Sequence, residues 1–512
     1  MSISPLTDPA PDSGAPPEVE RLKAGSVGLS GVMFMALATA APITAMTGNL
    51  PIIIGSGSGT HAPGAFLFVT GVLLLFTIGY VAMARHITAA GAFYGYISHG
   101  LGRVFGMASG LLAVLAYVVF EASIVGIFAF FAQSAIQNQF HHKVPWPVLA
   151  FAMIAVTAVL AYFDLHIASR VLSVALVGEV VMLLLLSLSV LFHGGGKTDG
   201  LALHTLNPLK SFAGPSAGIG LFFCFWSWIG FESTAMYGEE SRQPKRIIPR
   251  ATVLAVVGLG ALYTMVAWTT LSGNGLANSV AVSGGSTGNP LDLFYGASQK
   301  YLGHWAVTAI EWLMCSSAFA CGMAFHQCAS RYLYAIGREG FIHRSLGRTH
   351  TRHGSPFIAS FAQTGITVAI VGAFWAAGKD PYLDLYTLTA ILGTMALLIV
   401  QALCSFSVIA YFRSHHPETR HWFRTLVAPG LGGIGMVGAV YLLVTNLKTA
   451  SGGSSALLLT LTPWIVGGVF VGGIAYALYT RANNPAKYEV LGRIVMEDAQ
   501  ERTEGVAEPS VA

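Results

Sequence analysis

The amino-acid sequence predicts an all-α polytopic membrane protein with twelve transmembrane helices. Of its 512 residues, 54% are hydrophobic and only 10% are charged, whereas an ordinary soluble protein carries about 25% charged residues. Two long stretches, 24–84 and 385–412, contain no Asp, Glu, Lys or Arg. Such a composition cannot cover a surface that faces water, so lipid must be the solvent for much of the chain.

Apolar runs of about 20 residues, the length needed to cross a bilayer, define twelve predicted spans. We expect spans 3 and 8 to extend beyond the bilayer, because they are longer than the hydrocarbon core requires. In chain order the spans cover residues 27–54, 64–84, 104–134, 147–163, 171–192, 216–238, 250–272, 302–335, 356–376, 384–412, 425–446 and 457–480.

The distribution of Lys and Arg gives an independent test of this count. With the N-terminus placed in the cytoplasm, the cytoplasmic segments collect 21 of the 27 basic residues. Basic residues concentrate in the cytoplasmic loops of membrane proteins, so the pattern predicts that both chain ends lie in the cytoplasm. A miscounted span would invert the pattern in every later loop. The six basic residues on the outside are all lysines: Lys143, Lys197, Lys210, Lys300, Lys379 and Lys448.

Three segments outside the spans have a distinct composition. Residues 1–24 form a cytoplasmic tail without the apolar core of a signal peptide, and residues 481–512 form a second cytoplasmic tail of mixed charge. The outer loop 271–290 is rich in Gly, Ser and Asn. Its composition suits a mobile lid or a plain connector.

The residue types that enzymes and channels need do not cluster. All five cysteines fall inside apolar runs, which predicts small core residues rather than disulfides or metal ligands. The histidines are scattered, mostly over loops, and rings of charge are absent from the sequence pattern. We therefore predict no enzyme activity, no cofactor, no metal site and no nucleic-acid partner. A polytopic membrane enzyme and a transport-inactive sensor stay as distant alternatives.

The most informative stretch is 225–233 in span 6, Phe-Trp-Ser-Trp-Ile-Gly-Phe-Glu-Ser. It places a glycine, two serines and the ionisable Glu232 in the middle of an apolar run. Hydrocarbon cannot satisfy free backbone groups or a carboxylate, so such a break must be buried in protein or line a cavity. A helix broken at mid-depth is typical of secondary transporters.

Span 1 carries a second candidate break at residues 40–51, where Pro42 removes a helix donor. A kinked but continuous helix is the alternative, since proline is common in membrane helices. Spans 1 and 6 begin two successive sets of five spans, and corresponding breaks indicate inverted repeats. We therefore predict repeats at 25–193 and 214–412, followed by two peripheral helices at 424–480.

Three motifs, in order along the chain, resemble those of the amino acid–polyamine–organocation (APC) permeases. Gly-Phe-Glu-Ser at 230–233, with 238–250, is similar to the signature after helix 6 of that superfamily. Residues 90–96 and 100–102 resemble its loop between helices 2 and 3, and residues 329–340 resemble the end of its helix 8. The resemblance implies a leucine-transporter-like fold.

The resemblance also implies that unwound parts of helices 1 and 6 bind the α-carboxylate and α-amino group of a substrate. Where the family usually has Gly-(Ser/Thr)-Gly, this chain has Thr44, Ala45 and Met46, which gives the backbone less freedom. The aromatic run of span 6 is a candidate pocket wall or gate, although helical periodicity turns about half of it away. The candidate substrate-binding residues are Ile43, Thr44, Ala45, Met46, Thr47, Trp226, Ser227, Gly230 and Phe231.

Four glutamates lie within predicted spans, where a carboxylate must be paired, protonated or exposed to water. Glu179 is the first candidate for proton coupling, because many relatives carry at that position a lysine that replaces a sodium ion. It also suits a salt bridge or a cation ligand. Glu232 is a further coupling candidate, for which we expect a structural or gating role rather than direct ammonium binding. Glu121 is a second proton or ammonium candidate, and Glu311 is expected to snorkel.

Two further polar positions are weaker candidates. Ser316 and Ser317 match the helix 8 region that completes a sodium site in sodium-coupled relatives, although hydroxyl pairs on membrane helices more often bond to backbone. His326 is expected to pack or to contact a loop rather than to carry protons.

Together these residues predict a permease of the cytoplasmic (inner) membrane that moves an amino acid by alternating access, as a symporter with a proton. A polyamine or organic-amine transporter and an amino acid exchanger are the alternatives. The predicted partners are a small-molecule substrate, the lipid bilayer and a proton, and the predicted state is a monomer or a homodimer.

Overall fold

The computed structural model describes residues 28–87, 93–163, 166–237, 241–349, 355–450 and 456–490. Within these ranges the chain is helical and forms no β-strand. The α-helices are α1 (Leu29–Ala40), α2 (Pro42–Ile52), α3 (Ala62–Ala84), α4 (Phe93–Leu101), α5 (Arg103–Phe140), α6 (Trp146–Phe163), α7 (His166–Phe192), α8 (Ala217–Trp228), α9 (Pro244–Asn274), α10 (Leu276–Ser283), α11 (Asp292–Tyr301), α12 (His304–Arg338), α13 (Phe357–Ala376), α14 (Thr387–Ser414), α15 (Ala428–Ala450), α16 (Ala456–Asn483) and α17 (Pro485–Val490).

Ten membrane-length apolar segments occur in the described part of the chain. They coincide with every predicted span except spans 4 and 6. Span 4 is a shorter apolar helix, Trp146–Tyr162, and span 6 is divided into α8 and the 3-10 helix Phe231–Tyr237. The all-α polytopic class is therefore confirmed, while the count of twelve and the inverted repeats stay predictions.

Two long helices form the centre of the fold. α5 has 38 residues and α12 has 35, well above the roughly 20 residues needed to cross the hydrocarbon core. α5 packs against α12, α14, α4 and α16, and most of its side chains are buried. These two helices therefore carry side chains both into the centre of the fold and towards the peripheral helices.

The outer segment 271–290, for which the sequence left a mobile lid or a plain connector open, contains a short helix. α9 continues to Asn274, and α10 forms after Gly275, which has φ 85°. The Ser279 hydroxyl donates to the carbonyl of Leu271 at 3.4 Å, and Ser279 and Val282 are buried. Packing of these small side chains against α9 gives the segment a helical form despite its glycines.

The five cysteines confirm the prediction of small core residues, because all five are buried and none forms a disulfide. The predicted tail 1–24 lies outside the described residues, as do 90–92 and 238–240 of the family motifs. Of the predicted tail 481–512, the structure describes the end of α16 and α17.

Candidate functional site

The first span is broken at a single residue. α1 ends at Ala40, and Ala41 adopts a left-handed conformation (φ 44°, ψ 72°) before Pro42 begins α2. A proline lacks an N–H and its ring collides with the carbonyl four residues earlier, so the preceding helix must end. The same residue is well suited to the first position of a new helix. The unwound backbone is thus confined to Ala41, and residues 43–47 are helical.

The second break lies at Ile229 and Gly230. Ile229 is extended (ψ 127°), Gly230 has φ 120°, and the 3-10 helix Phe231–Tyr237 follows. Glycine adopts such a φ without steric cost, whereas L-residues rarely do. The position is also crowded, since a Cβ on Gly230 would lie 2.7 Å from the Cβ of Thr39 and 2.8 Å from the backbone nitrogen of Ala40. The second break therefore lies directly against the end of α1.

A small cavity lies between the two breaks. Its volume of about 20 Å³ is room for about one water molecule. Among the described residues that line it, none is an Asp, Glu, Lys, Arg or His. The cavity is therefore uncharged, and it must widen before it holds a larger solute. The lining consists of Thr39, Ala40, Ala41, Thr44, Ala45, Asn49, Ile124, Trp226, Ile229, Cys321, Phe325 and Tyr386.

Hydrogen bonds link the polar side chains of this lining. Trp226 Nε1 donates to the Tyr386 hydroxyl at 2.8 Å, and that hydroxyl donates to Asn49 Oδ1. Asn49 Nδ2 donates to the Ser227 hydroxyl at 2.8 Å. Because buried polar groups cost free energy unless they are paired, this network fixes Trp226 and joins α2, α8 and the π-helix Pro381–Tyr386.

Trp226 and Phe325 line the cavity and pack with Phe120 behind them, and we call these three residues the aromatic cluster. The Trp226 ring is stacked on that of Phe325 with centroids 5.9 Å apart and an interplanar angle of 11°. The Phe120 ring lies 4.6 Å from Trp226 and 5.2 Å from Phe325. Movement of α5 relative to α12 would separate these rings.

Glu232 is held by the second break itself. Its carboxylate accepts from the backbone N–H of Gly230 at 3.0 Å and from the Tyr117 hydroxyl at 2.8 Å. Its backbone carbonyl accepts from the Tyr80 hydroxyl at 3.2 Å. These bonds tie the broken helix to α5 and α3, and Glu232 does not line the cavity.

Glu179 lies beside the first break. Its Oε2 accepts from the Ser317 hydroxyl at 2.6 Å and from the backbone N–H of Ile43 at 3.5 Å. The side chain is buried, and its carboxylate is hydrogen-bonded to the first turn of α2 and to α12 at the same time. The neighbouring Ser316 donates to the carbonyl of Leu313 at 3.0 Å, so the two serines do not act as a pair.

Glu311 differs from what the sequence predicted, whereas His326 packs inside the fold, one of the two surroundings expected for it. Glu311 does not snorkel, because its buried carboxylate accepts from Asn138 and Gln139, each at 2.6 Å. His326 is buried against the carboxylate of Glu121 on α5. In both cases a neighbouring helix supplies the partner, which the sequence of one helix does not show.

Comparison with known families decides the identity of the fold. The sequence matches the family described as "Amino acid permease" over residues 32–471, which is most of the chain. The chain belongs to this family.

Three relatives of this permease carry the name of an importer or of a permease. The low-affinity putrescine importer PlaP of Escherichia coli is 23% identical over 82% of this chain and 88% of the relative. The branched-chain amino acid permease BcaP of Bacillus subtilis is 21% identical over 85% and 89%. The BcaP protein of Lactococcus lactis is 25% identical over 82% and 90%.

A solved structure shows the same fold. The manganese transporter of Eremococcus coleocola aligns with a TM-score of 0.52 at 13% identity, over 92% of this chain and 99% of that chain. At this identity the likeness concerns the fold alone. The permease thus has the leucine-transporter-like fold that its motifs implied.

The structure brings the predicted site residues into one region but gives them different surroundings. Thr44, Ala45 and Trp226 line the cavity, and Ser227 belongs to the hydrogen-bond network beside it. Gly230 forms the second break. The remaining candidates, Ile43, Met46, Thr47 and Phe231, are buried without lining the cavity.

Several lining residues were missed by the sequence reasoning. Asn49 had a signal, since an amide within an apolar run must find buried partners. Tyr386 and Phe325 had none, because aromatic residues are common in membrane helices and only the packing shows which of them face the cavity.

Proposed function

We propose that this permease is a secondary active transporter of the cytoplasmic membrane that moves a neutral amino acid by alternating access, in symport with a proton. The observation that carries the proposal is the uncharged cavity at the junction of α1, α2 and the second break. Both chain ends lie in the cytoplasm in this proposal, and the halves 25–193 and 214–412 rock against each other about the cavity.

The junction offers an anion site and a cation site to a zwitterion. The amino end of α2 supplies backbone N–H groups and the positive end of a helix dipole for a carboxylate. The Thr44 hydroxyl beside it lines the cavity and has no hydrogen-bond partner in the described structure. At the end of α1, the carbonyl of Thr39 accepts, among the described residues, only from the weakly donating Cys321 thiol at 3.0 Å, so it is available to an ammonium group.

The lining favours an amino acid over a diamine. A diamine carries two positive charges and needs carboxylates in its pocket, whereas the described lining has none. Glu121 and Glu232 both have other partners outside the cavity. The side chains of Ile124, Ile229 and Phe325 instead suit an apolar substrate side chain.

Glu179 is the proposed coupling residue. When ionised, its carboxylate accepts from Ile43 and Ser317 and stabilises the amino end of α2. A proton on the carboxyl group removes that charge next to the site where the substrate carboxylate binds. Proton loading therefore favours substrate loading, since two anions no longer compete for the same helix end.

Uptake by purified protein in proteoliposomes tests the function. We expect radiolabelled leucine or another neutral amino acid to accumulate when the outside is acidic, and a protonophore to abolish accumulation. Glu179→Gln should bind and exchange the amino acid yet lose the dependence on the proton gradient, whereas the matched variant Glu311→Gln should retain it. Uptake that ignores the gradient but requires internal amino acid would establish exchange and refute symport.

Import of an organic amine is the second candidate, favoured by the putrescine importer among the relatives. The same assay separates the two candidates when labelled putrescine replaces the amino acid. Accumulation of putrescine without accumulation of any neutral amino acid would overturn the assignment made above.

A further inference from the structure

α5 and α12 carry a buried ionisable pair that the proposed site does not use. Nδ1 of His326 lies 3.1 Å from each carboxylate oxygen of Glu121, and both side chains are about 1% exposed. Gln363 of α13 donates to the same carboxylate at 2.7 Å. Three helices therefore meet at one titratable pair, outside the substrate cavity.

The pair is attached directly to the aromatic cluster. Phe120 immediately precedes Glu121, and Phe325 immediately precedes His326. Successive residues of a helix point about 100° apart, so each helix presents a ring to Trp226 on one face and an ionisable group on the next. A change in the attraction between Glu121 and His326 thus changes the spacing of the two helices that hold the rings.

The hydrogen bonds of His326 accommodate two protonation states. Nε2 lies 2.7 Å from the hydroxyl of Ser360, which donates to a neutral imidazole and accepts from an imidazolium. With Glu121 ionised, Nδ1 carries a hydrogen and donates to the carboxylate. The pair therefore gains or loses a proton at Nε2 while every bond keeps a partner.

Gln363 also offers a hydrogen-bond acceptor for a protonated carboxyl group of Glu121. Its Oε1 is buried and has no hydrogen-bond partner in the part of the chain described. Rotation of this amide by half a turn would present Oε1, an acceptor, to a protonated Glu121. An unpartnered buried acceptor is costly, so a second state of the pair explains why it is tolerated.

Ser360 connects the pair to one end of the bundle. It is half-buried and lies in the first turn of α13, four residues after Pro356. In the predicted topology that end faces the cytoplasm. A proton on Nε2 therefore has a hydroxyl contact on the side where a symporter must release it.

Few other ionisable groups lie close to the pair along the helices that hold it or pack beside it. α6 and α13, which pack beside it, contain no Asp, Glu, Lys, Arg or His. On the same two helices, Arg103, Glu311, Arg331 and Arg338 are at least five residues away along the chain, and Tyr117 donates to Glu232 instead. Among these groups, His326 is therefore the direct ionic partner of Glu121.

We propose that Glu121 and His326 form a second proton-binding site, connected to the cytoplasm through Ser360, whose occupancy determines whether the aromatic cluster is closed. A proton arrives on the pair and leaves by way of the Ser360 hydroxyl, and only N–H and O–H bonds form or break. This inference rests on the proposed function for the origin of the proton, and it adds a release site distinct from Glu179.

Alkylation of Cys321 measures whether the aromatic cluster is closed and needs no substrate, because Cys321 lines the cavity next to Phe325. The test uses the full-length protein in lipid nanodiscs with Cys224, Cys315, Cys328 and Cys404 replaced by alanine. The alkylation rate of Cys321 by N-ethylmaleimide is measured across the range about pH 5.5 to 8, where histidine changes charge. Dividing the rate of each variant by that of the parent at the same pH removes the effect of thiol ionisation.

For Glu121→Gln and His326→Gln we expect the alkylation rate relative to the parent to change by about fivefold or more over the pH range tested. The reason is that the aromatic cluster of the parent opens and closes with pH, whereas that of the variants does not. Glu311→Gln, another buried glutamate held by two amides, should give a flat ratio. Melting temperatures confirm folding, and His326→Gln carries the test if Glu121→Gln unfolds.

If the alkylation-rate ratio does not change with pH for either Glu121→Gln or His326→Gln, the second proton-binding site is overturned, whatever the transport assays show. A ratio that changes with pH supports this site even if uptake proves to be exchange, because alkylation needs neither substrate nor a proton gradient. The failure of this inference and the failure of proton symport are therefore separate results.

Discussion

The two helix breaks differ in how completely their polar groups are hydrogen-bonded. At Gly230 the backbone is enforced by a positive φ and by contact with Thr39, and the carboxylate of Glu232 satisfies the local N–H. At Ala41 a single residue is in the left-handed region, and the polar groups that follow are sparsely paired. Glu179 reaches the first turn of α2 only at 3.5 Å, and the Thr44 hydroxyl has no partner in the described residues.

This difference indicates a division of labour between the breaks. Groups that are fully paired inside the protein gain little from a ligand, whereas unpaired buried groups gain a hydrogen bond. We therefore expect the second break to act as scaffold and the first to receive the substrate. Substitutions at the two breaks should separate into effects on folding and effects on binding.

Gly230→Ala should have the largest effect. The added methyl requires an unfavourable φ and lies 2.7 Å from Thr39, so strain and overpacking together cost about 2–5 kcal/mol. We expect loss of uptake and a sharply lower melting temperature. Gly258→Ala is the control, because nothing lies within 4 Å of its added methyl. Near-normal uptake by Gly230→Ala would contradict the contact between the breaks.

Glu232→Gln should destabilise the fold by about 1.5–3 kcal/mol, the range for hydrogen bonds to charged groups. The amide oxygen still accepts from Gly230, but the amide nitrogen cannot accept from Tyr117. Thermal unfolding in detergent measures the change, with Tyr117→Phe as a second route to the same loss. If Glu232→Gln instead kept its stability and lost only proton coupling, the scaffold role of this residue would be wrong.

Thr44→Val should affect binding and leave folding intact. Valine keeps the shape of threonine and removes a hydroxyl that bonds to nothing in the described structure. We expect KM to rise by about fivefold, equivalent to one hydrogen bond of about 1 kcal/mol, with an unchanged melting temperature. Thr47→Val loses a 2.7 Å hydrogen bond to the carbonyl of Ile43. This variant should have a lower melting temperature and an unchanged KM.

Ala41→Gly should have the smallest effect. Glycine relieves the left-handed conformation of Ala41, a gain of about 1–2 kcal/mol, but loses about 0.4–1 kcal/mol because the unfolded chain becomes more flexible. A net stabilisation of about 0–1.6 kcal/mol is expected in thermal unfolding. Ala38→Gly, within α1, should instead destabilise by about 1 kcal/mol.

The sequence predicted the chemistry of the breaks better than their extent. Pro42 indicated where α1 ends, because a missing N–H and a ring clash act locally. Gly230 marked the second break for an equally local reason. Residues 44–46, which the resemblance aligns with the family's Gly-(Ser/Thr)-Gly motif in helix 1, are helical, since nothing in that stretch prevents α2 from starting at its proline.

The partners of the buried carboxylates were beyond the sequence. Glu121 was predicted as a second proton or ammonium candidate, yet its helix presents Ile124 to the cavity and the carboxylate of Glu121 contacts His326. One helix shows where its own residues point relative to each other, but not which face meets the cavity. His326 and Gln363 lie 205 and 242 residues away from Glu121 along the chain, so no local pattern links them.

The sequence by itself determined three properties of this chain: that it is a membrane protein, at which residues its helices break, and which carboxylates lie within the bilayer core. These properties follow from composition, periodicity and the backbone limits of proline and glycine, all of which act within one or two turns. Only the tertiary structure decided which of those carboxylates lies beside a helix end, which braces a break and which pairs with a histidine. The reason is that a buried charge is satisfied by whatever neighbouring helices bring to it.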